Sequence, residues 1–172
     1  MRSAGGSRTP AVVLVLPALA LLLAACSAPP AAVSGADGEE PSAKAALFEA
    51  KRQVLAAQDQ VLSLIPSDNV VSVDKETRAQ LLGCGDDYLW PGGARVELEG
   101  ELNQQGIADS AAERFETGWT VGPSPTASAI GFSLDHDDGR ELTAVFSSDG
   151  TRFTVTAFSA CFPFEPEAGV EY

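Results

Sequence analysis

The chain has 172 residues, and its 24 Asp and Glu against 11 Lys and Arg give a formal net charge of −13. Arg2 and Arg8 are the only charged residues before Cys26, so the chain from Cys26 onward has a formal net charge of −15. A field of this sign repels nucleic acid, and the composition therefore argues against a nucleic-acid partner.

Residues 1–25 are predicted to be a signal peptide. The two arginines form a short positive start, and an apolar run follows from residue 11 to residue 23, interrupted only by Pro17. A run of 13 residues is too short to cross a membrane, which takes about 20 apolar residues. Its length instead fits the apolar centre of a signal peptide.

The apolar run ends in the sequence Leu23-Ala24-Ala25-Cys26. This sequence resembles the bacterial lipobox, in which a leucine and two small residues precede a cysteine. The resemblance implies that the Cys26 thiol is diacylated, that the peptide is cut before it, and that the lipid anchors the protein to the cell membrane on the extracytoplasmic side. Two or more acyl chains anchor a protein stably. The alternatives are an ordinary secretory signal with an incidental cysteine and a retained membrane anchor.

Residues 26–41 are predicted to be the lipidated cysteine and a disordered linker. Pro, Ala, Gly, Ser and acidic residues dominate this segment, and Val33 is its only large apolar side chain. It cannot bury enough apolar surface to offset the entropy lost on ordering. Residues 42–172 are therefore predicted to form a single domain.

An amphipathic helix is predicted from Ala43 to Ile65, with Ser42 as its cap and Pro66 as its end. Its apolar residues form two adjacent columns with a spacing of seven, which are Leu47, Val54 and Val61, and Phe48, Leu55 and Leu62. We interpret it as a helix that packs on a sheet, because about three heptads are too few for a partner-binding coiled coil.

Strands are predicted at residues 69–74 and 94–100, and a second helix from about Leu102 to Thr117, where Gly118 stops it. The apolar side of this helix consists of Ile107, Ala108, Ala111, Ala112 and Phe115. Trp119, which follows, is interpreted as a core residue.

A meander of three strands is predicted next, because apolar residues alternate with polar or small ones in three successive segments. The apolar positions are Ile130, Phe132 and Leu134, then Leu142, Ala144 and Phe146, then Phe153, Val155 and Ala157. The segments HDDGR and SSDGT between them are hairpin signals. The prediction is an α+β domain, an antiparallel sheet of about four to six strands covered on one face by a long N-terminal helix and a shorter second one.

The layout as a whole resembles that of small lipoproteins from high-GC actinobacteria, many of which have no assigned function. The shared features are the N-terminal helix, a mid-chain cysteine in LLGCGDD, a helix ending in ETGWTV, and a meander that closes at SACFPF. The resemblance assigns no functional residue.

With Cys26 in the lipobox, Cys84 and Cys161 remain as an even pair in an oxidising compartment. A disulfide is predicted between them, closing a loop of 77 residues. A metal site would need more Cys or His, and a nucleophilic cysteine would need a histidine partner. His136, the one histidine of the chain, lies in a predicted turn. No metal and no cofactor are predicted.

The loop GDDYLWPGG is the predicted ligand-binding site, with Asp86, Asp87, Tyr88 and Trp90 as its residues. Exposed aromatic rings beside carboxylates suit a sugar or a cation. The alternative is that both rings pack over the sheet edge or the disulfide. The acidic segment LDHDDG could also offer oxygen ligands to Ca²⁺, but the spacing of an EF-hand is missing, and we interpret it as a polar hairpin turn.

Two functions fit these features. The first is a membrane-anchored, non-catalytic domain that binds an envelope protein or glycan. The second is an envelope glycan hydrolase with Asp86 or Asp87 as its acid, although adjacent residues of an extended segment face opposite ways. The sequence offers no Ser-His-Asp set and no glycine-rich phosphate loop, so we favour the non-enzyme. Burial discriminates the two, because a general acid needs a desolvated carboxylate with a raised pKa.

Overall fold

The structure, a computed structural model, describes residues 42–115 and 117–172. The predicted signal peptide, the lipidation site Cys26 and the linker up to residue 41 lie outside these residues. Among the helices that the structure describes, none combines the length and the apolar character that crossing a membrane requires.

The described chain forms an α+β fold, as predicted. The helices are α1 (Ala43–Leu62) and α2 (Gln104–Arg114), and a single 3-10 turn covers Ser67–Asn69. The strands are β1 (Val70–Lys75), β2 (Leu82–Cys84), β3 (Asp87–Leu89), β4 (Pro91–Leu98), β5 (Trp119–Pro123), β6 (Gly131–His136), β7 (Glu141–Phe146) and β8 (Arg152–Phe158). Six strands form an antiparallel sheet in the order β1-β4-β8-β7-β6-β5, and β2 pairs with β3 in a separate hairpin.

Helix α1 begins as predicted, because the amide of Ala45 donates a hydrogen bond of 3.3 Å to the Ser42 hydroxyl. Of its two predicted apolar columns, only the first is fully buried, namely Leu47, Val54 and Val61. The small residues Ala50 and Ala57, which lie between members of this column, are buried with it. A helix that lies on a flat sheet buries one narrow stripe, and alanines in that stripe let it approach closely. Phe48 of the second column is instead 59% exposed.

Strand β4 begins at Pro91, so residues 91–93, predicted as loop, are strand. Proline is tolerated there because it is the first residue of the strand. Gly92 faces α1, and a Cβ added at Gly92 would lie 2.6 Å from Cζ3 of Trp90 and 3.0 Å from Cγ1 of Val54. Only glycine leaves room for both side chains at this position.

Helix α2 is shorter than predicted. The amide of Gly106 donates to the side chain of Asn103, which caps the helix at 3.0 Å, and Phe115 is the C-terminal cap. Four of the five predicted apolar positions are buried, but Ala112 is exposed. Gly118, with φ 73°, belongs to the turn that leads into β5 rather than to the helix end.

The meander has four strands rather than three, because β5 precedes the three predicted ones and pairs with β6. The predicted alternation is confirmed in β6, β7 and β8 at eight of the nine predicted apolar positions, which are buried, namely Phe132, Leu134, Leu142, Ala144, Phe146, Phe153, Val155 and Ala157. The prediction is wrong for Ile130, which precedes β6 and is 39% exposed. The two predicted hairpin turns contain Gly139 and Gly150, with φ values of 94° and 72°.

Both helices cover the same face of the sheet. Helix α1 contacts β4 and β8, helix α2 contacts β6, and their buried residues join those of the strands in one core. No helix of the described residues covers the opposite face, where polar side chains such as Arg95, Thr154 and Thr143 alternate with the buried ones. We call this the open face.

Candidate functional site

The predicted site residues Asp86, Asp87 and Tyr88 lie in the β2–β3 hairpin. Gly85, with φ 65°, makes the turn. Asp86 is exposed at the tip, whereas Asp87 and Tyr88 are partly buried in β3. The hairpin therefore presents one exposed carboxylate and one ring that is accessible on part of its surface.

The predicted disulfide joins this hairpin to the C-terminal segment. Cys84 and Cys161 are bonded, with their Cα atoms 6.0 Å apart. Beside them, Tyr88 and Phe162 exchange two backbone hydrogen bonds of 3.1 Å and 2.8 Å. The covalent and hydrogen-bonded links hold the hairpin in place although it lies outside the six-stranded sheet.

Trp90 is a core residue, so the predicted exposed ring at this position is wrong. None of its surface is accessible. Its backbone amide donates to the Ser159 hydroxyl at 2.9 Å, and its indole N–H donates to the carbonyl of Tyr172 at 3.1 Å. The Lys51 ammonium lies 5.5 Å from the ring centroid. The packing alternative holds for Trp90, and ligand binding by the remaining loop residues stays a prediction.

The acidic segment LDHDDG forms a hairpin turn, as interpreted from the sequence. The Asp138 carboxylate accepts a hydrogen bond from Nε of Arg140 at 2.9 Å and lies 2.7 Å from Nδ1 of His136. Partial burial raises the pKa of Asp138, but the hydrogen bonds and charge of Arg140 outweigh it, and the pKa falls below its ordinary value. The described ranges contain no group of three His, Cys, Asp or Glu residues that could hold a metal ion.

Trp119 lies beside this turn. It is partly buried, and its ring stands edge-on to that of His136 at a centroid distance of 4.6 Å. The Arg140 guanidinium lies 5.1 Å from the Trp119 ring. Trp119 thus borders the core, in partial agreement with its interpretation as a core residue.

A cavity of about 290 Å³ lies on the open face over β1, β4 and β8. The strand register places its polar side chains next to each other, since Asp74 is opposite Arg95, Arg95 is opposite Thr154, and Gly93 is opposite Thr156. Carboxylate, guanidinium and hydroxyl groups therefore meet at one place. We call this the open-face cavity.

Glu76 completes the open-face cavity immediately after β1. Its amide donates to the carbonyl of Gly93 at 2.8 Å. A Cβ added at Gly93 would lie 2.7 Å from Oε2 of Glu76, so the glycine makes room for the carboxylate. Within the described residues, the side chains of Asp74, Glu76 and Arg95 form no ion pair with each other and no hydrogen bond. Their donors and acceptors remain available to a ligand.

Sequence reasoning missed the open-face cavity. The only hint of it in the sequence is the alternation of β4 and β8, which predicts Arg95, Thr154 and Thr156 on the polar faces of these strands. Nothing in the alternation says that β4 pairs with β8, because the two strands are separated by a helix and three further strands. Glu76 lies beyond the predicted first strand.

Comparison with known proteins gives little beyond this geometry. No family model and no curated protein matches the chain. Among solved structures, it is similar to a DUF4853 family protein from Actinomyces odontolyticus ATCC 17982, with 16% sequence identity and a TM-score of 0.42. The match covers 69% of this chain and 68% of that one. A likeness this weak carries no argument about function.

Proposed function

We propose that the protein is a lipoprotein of the cell envelope, anchored to the membrane through Cys26, with a non-catalytic domain that binds an envelope glycan in the open-face cavity. The lipobox-like sequence before Cys26 supports the anchor. The observation that supports binding is the convergence of Glu76, Asp74 and Arg95 with two threonines in one cavity.

The chemistry of the open-face cavity suits a hydroxylated ligand. Sugar hydroxyls donate to carboxylates such as Glu76 and accept from a guanidinium such as Arg95, and threonine hydroxyls do both. Neighbouring strands lie about 4.8 Å apart, so three strands present these groups over about 10 Å. The volume of about 290 Å³ lies just below the range of small-molecule sites, about 300–1,000 Å³. The cavity therefore suits one or two sugar residues of a longer chain.

The position of the β2–β3 hairpin favours binding over hydrolysis. A general acid needs a carboxylate that is desolvated in a cleft, whereas Asp86 is exposed at the tip of a turn. Neither Asp86 nor Asp87 lines the open-face cavity. The hydrolase hypothesis would thus separate the acid from the groups that hold the sugar.

Cys26→Ala should abolish membrane anchoring in cells that make the protein. Without the thiol there is no site for the acyl chains, so the variant should lose the incorporated fatty acid and either accumulate as the longer precursor or leave the membrane fraction. Labelling with an alkyne fatty acid and fractionation measure both effects. Ser27→Ala is the matched control and should behave like the wild type. A Cys26→Ala protein of mature size in the membrane fraction would contradict the anchor.

Glu76→Gln and Arg95→Ala should each weaken binding of cell-wall glycan fragments about tenfold, because a lost charged hydrogen bond costs about 1.5 kcal/mol. Isothermal titration of the detergent-solubilised full-length protein measures this. Glu99→Gln is the control, since Glu99 is exposed and lies outside the cavity.

The titrated samples of protein and glycan fragments also distinguish glycan binding from glycan hydrolysis. Unchanged affinity in both cavity variants would remove the open-face cavity as the site. Chromatography of the fragments should show no cleavage. Cleavage that disappears in Asp86→Asn or Asp87→Asn would replace the binding proposal with the hydrolase.

A further inference from the structure

A second surface lies on the first turns of α1. Lys44, Phe48 and Lys51 follow each other at intervals of four and three residues, which places them on one side of the helix. Phe48 is 59% exposed, and the Lys44 ammonium lies 5.8 Å from the centroid of its ring. We call these three residues the Lys-Phe-Lys surface. A lysine over the face of an aromatic ring is a favourable contact, and the Phe48 side chain is still left more than half exposed.

An apolar cavity of about 230 Å³ adjoins this surface. It is lined by Lys44, Leu47, Phe48, Lys51, Phe164 and Tyr172. The rings of Phe164 and Tyr172 meet edge-to-face at 5.2 Å. Apolar side chains beside lysines are typical of protein segments that lie in the interface of a membrane. In such segments the lysine stems stay in apolar surroundings while the ammonium groups reach the lipid headgroups.

The charge of the first turns of α1 is opposite to that of the whole domain, whereas the segment that supplies Phe164 and Tyr172 contains Glu165, Glu167 and Glu171. Residues 43–52 contain Lys44, Lys51 and Arg52 and one acidic residue, Glu49. Arg52 pairs with Glu49, with 2.9 Å between its Nε and Oε2 of Glu49, so the two lysines remain as net positive charge. A bilayer with anionic headgroups attracts this region and repels the rest of a chain whose net charge is −15 from Cys26 onward.

The position of the surface in the chain points to the same partner. Only residues 27–41 separate Cys26 from the helix cap Ser42, and 15 residues span at most about 50 Å. On a protein anchored at Cys26, the start of α1 is the part of the described domain nearest to the anchor along the chain, and it lies within about 50 Å of the bilayer. We propose that the Lys-Phe-Lys surface contacts the outer surface of the membrane, with Phe48 at the boundary of the acyl chains and both lysines on lipid phosphates.

This inference rests on the proposed anchor and adds the orientation of the domain. The bilayer would lie at the end of the domain where β4 begins. The reason is that the Lys51 ammonium lies over the ring of Trp90, the residue before that strand. Val71, which is 58% exposed, lies on β1 beside Val70, whose partner is Leu98 at the other end of β4. Phe48 and Val71 thus form a pair of equally exposed positions at opposite ends of the domain.

The test compares a fluorescent probe at these two positions. In the lipidated full chain Cys26 is acylated and the other two cysteines are bonded, so the variants Phe48→Cys and Val71→Cys each have one free thiol for the probe. The labelled proteins are reconstituted into vesicles of phosphatidylglycerol and phosphatidylcholine that contain a nitroxide-labelled lipid. The probe at position 48 should be quenched strongly, and the probe at position 71 should not.

The lysines should carry the electrostatic part of this contact. Adding Lys44→Ala and Lys51→Ala to Phe48→Cys should reduce the ratio of docked to undocked domain about fivefold for each lysine. Vesicles of phosphatidylcholine alone, which have no net charge, should reduce the same ratio by a similar factor. Equal reduction by Arg114→Ala, an exposed arginine at the end of α2, would show a general charge effect and overturn the proposal.

Flotation of the vesicles separates the possible failures. Proteins that float but show equal quenching at both positions would overturn the Lys-Phe-Lys surface and leave the anchor intact. Proteins that do not float would refute the anchor itself and this inference with it. Shielding of position 48 that grows with protein concentration in the absence of vesicles would identify a second copy of the chain as the occupant and would also overturn the proposal.

Discussion

Removal of the disulfide should lower the free energy of unfolding by about 4.5 kcal/mol on the chain-entropy estimate for a loop of this length. The bond between Cys84 and Cys161 spans 77 residues, which include α2 and every strand from β3 to β8. In the unfolded chain it restricts most of the domain. Cys84→Ser combined with Cys161→Ser removes that restriction, and both positions are accessible enough to accept the hydroxyl.

Urea unfolding of the wild type and the double variant measures this loss. Reductant should lower the midpoint of the wild type to that of the variant and should leave the variant unchanged, which is the internal control. Intact-mass measurement after alkylation without reductant should show no free thiol at either position. A wild-type midpoint that is insensitive to reductant, or alkylation of both cysteines in the folded protein, would contradict the structural role of the bond.

Features that depend on neighbours in the sequence could be predicted. The inward residues Leu134, Leu142 and Phe153 follow from the alternation of each strand, because successive side chains of a strand point to opposite faces. The start of α1 follows from Ser42, whose hydroxyl accepts a hydrogen bond only three residues away. Such signals lie entirely within the segment that they describe.

Features that depend on distant residues could not be predicted. Trp90 stands among turn-forming residues, and its local sequence is that of a loop, but its partners Ser159 and Tyr172 lie 69 and 82 residues further along the chain. The open-face cavity has the same origin, since Arg95 and Thr154 become neighbours only when β4 pairs with β8. Polar strand faces were predictable, whereas their assembly into a site required the strand order.

Trp90→Ala should destabilise the domain by about 3–5 kcal/mol, the range for loss of a large buried aromatic side chain. The ring is inaccessible to solvent and packs against Gly92, which has no side chain to fill the space that the ring would leave. The substitution also removes the hydrogen bond from the indole to the carbonyl of Tyr172. Trp90→Phe keeps most of the apolar contact and should cost less than half as much.

Gln58→Leu provides a matched control in the same region of the core. The Gln58 side chain is buried near Gly92, and within the described residues neither atom of its amide has a hydrogen-bond partner. Its replacement by an apolar side chain of similar size removes an unsatisfied polar group, so stability should stay the same or rise. Loss of stability in both variants would mean that any change near Gly92 disrupts the packing.

Glycan binding by these variants separates a core role of Trp90 from a ligand role. If Trp90 acts only in the core, Trp90→Phe should bind envelope glycan fragments with wild-type affinity while unfolding at a lower urea concentration. A Trp90→Phe protein of unchanged stability and weakened binding would instead place the ring in the site. The full burial of the ring leads us to expect the first result, because a ring without accessible surface cannot stack on a sugar.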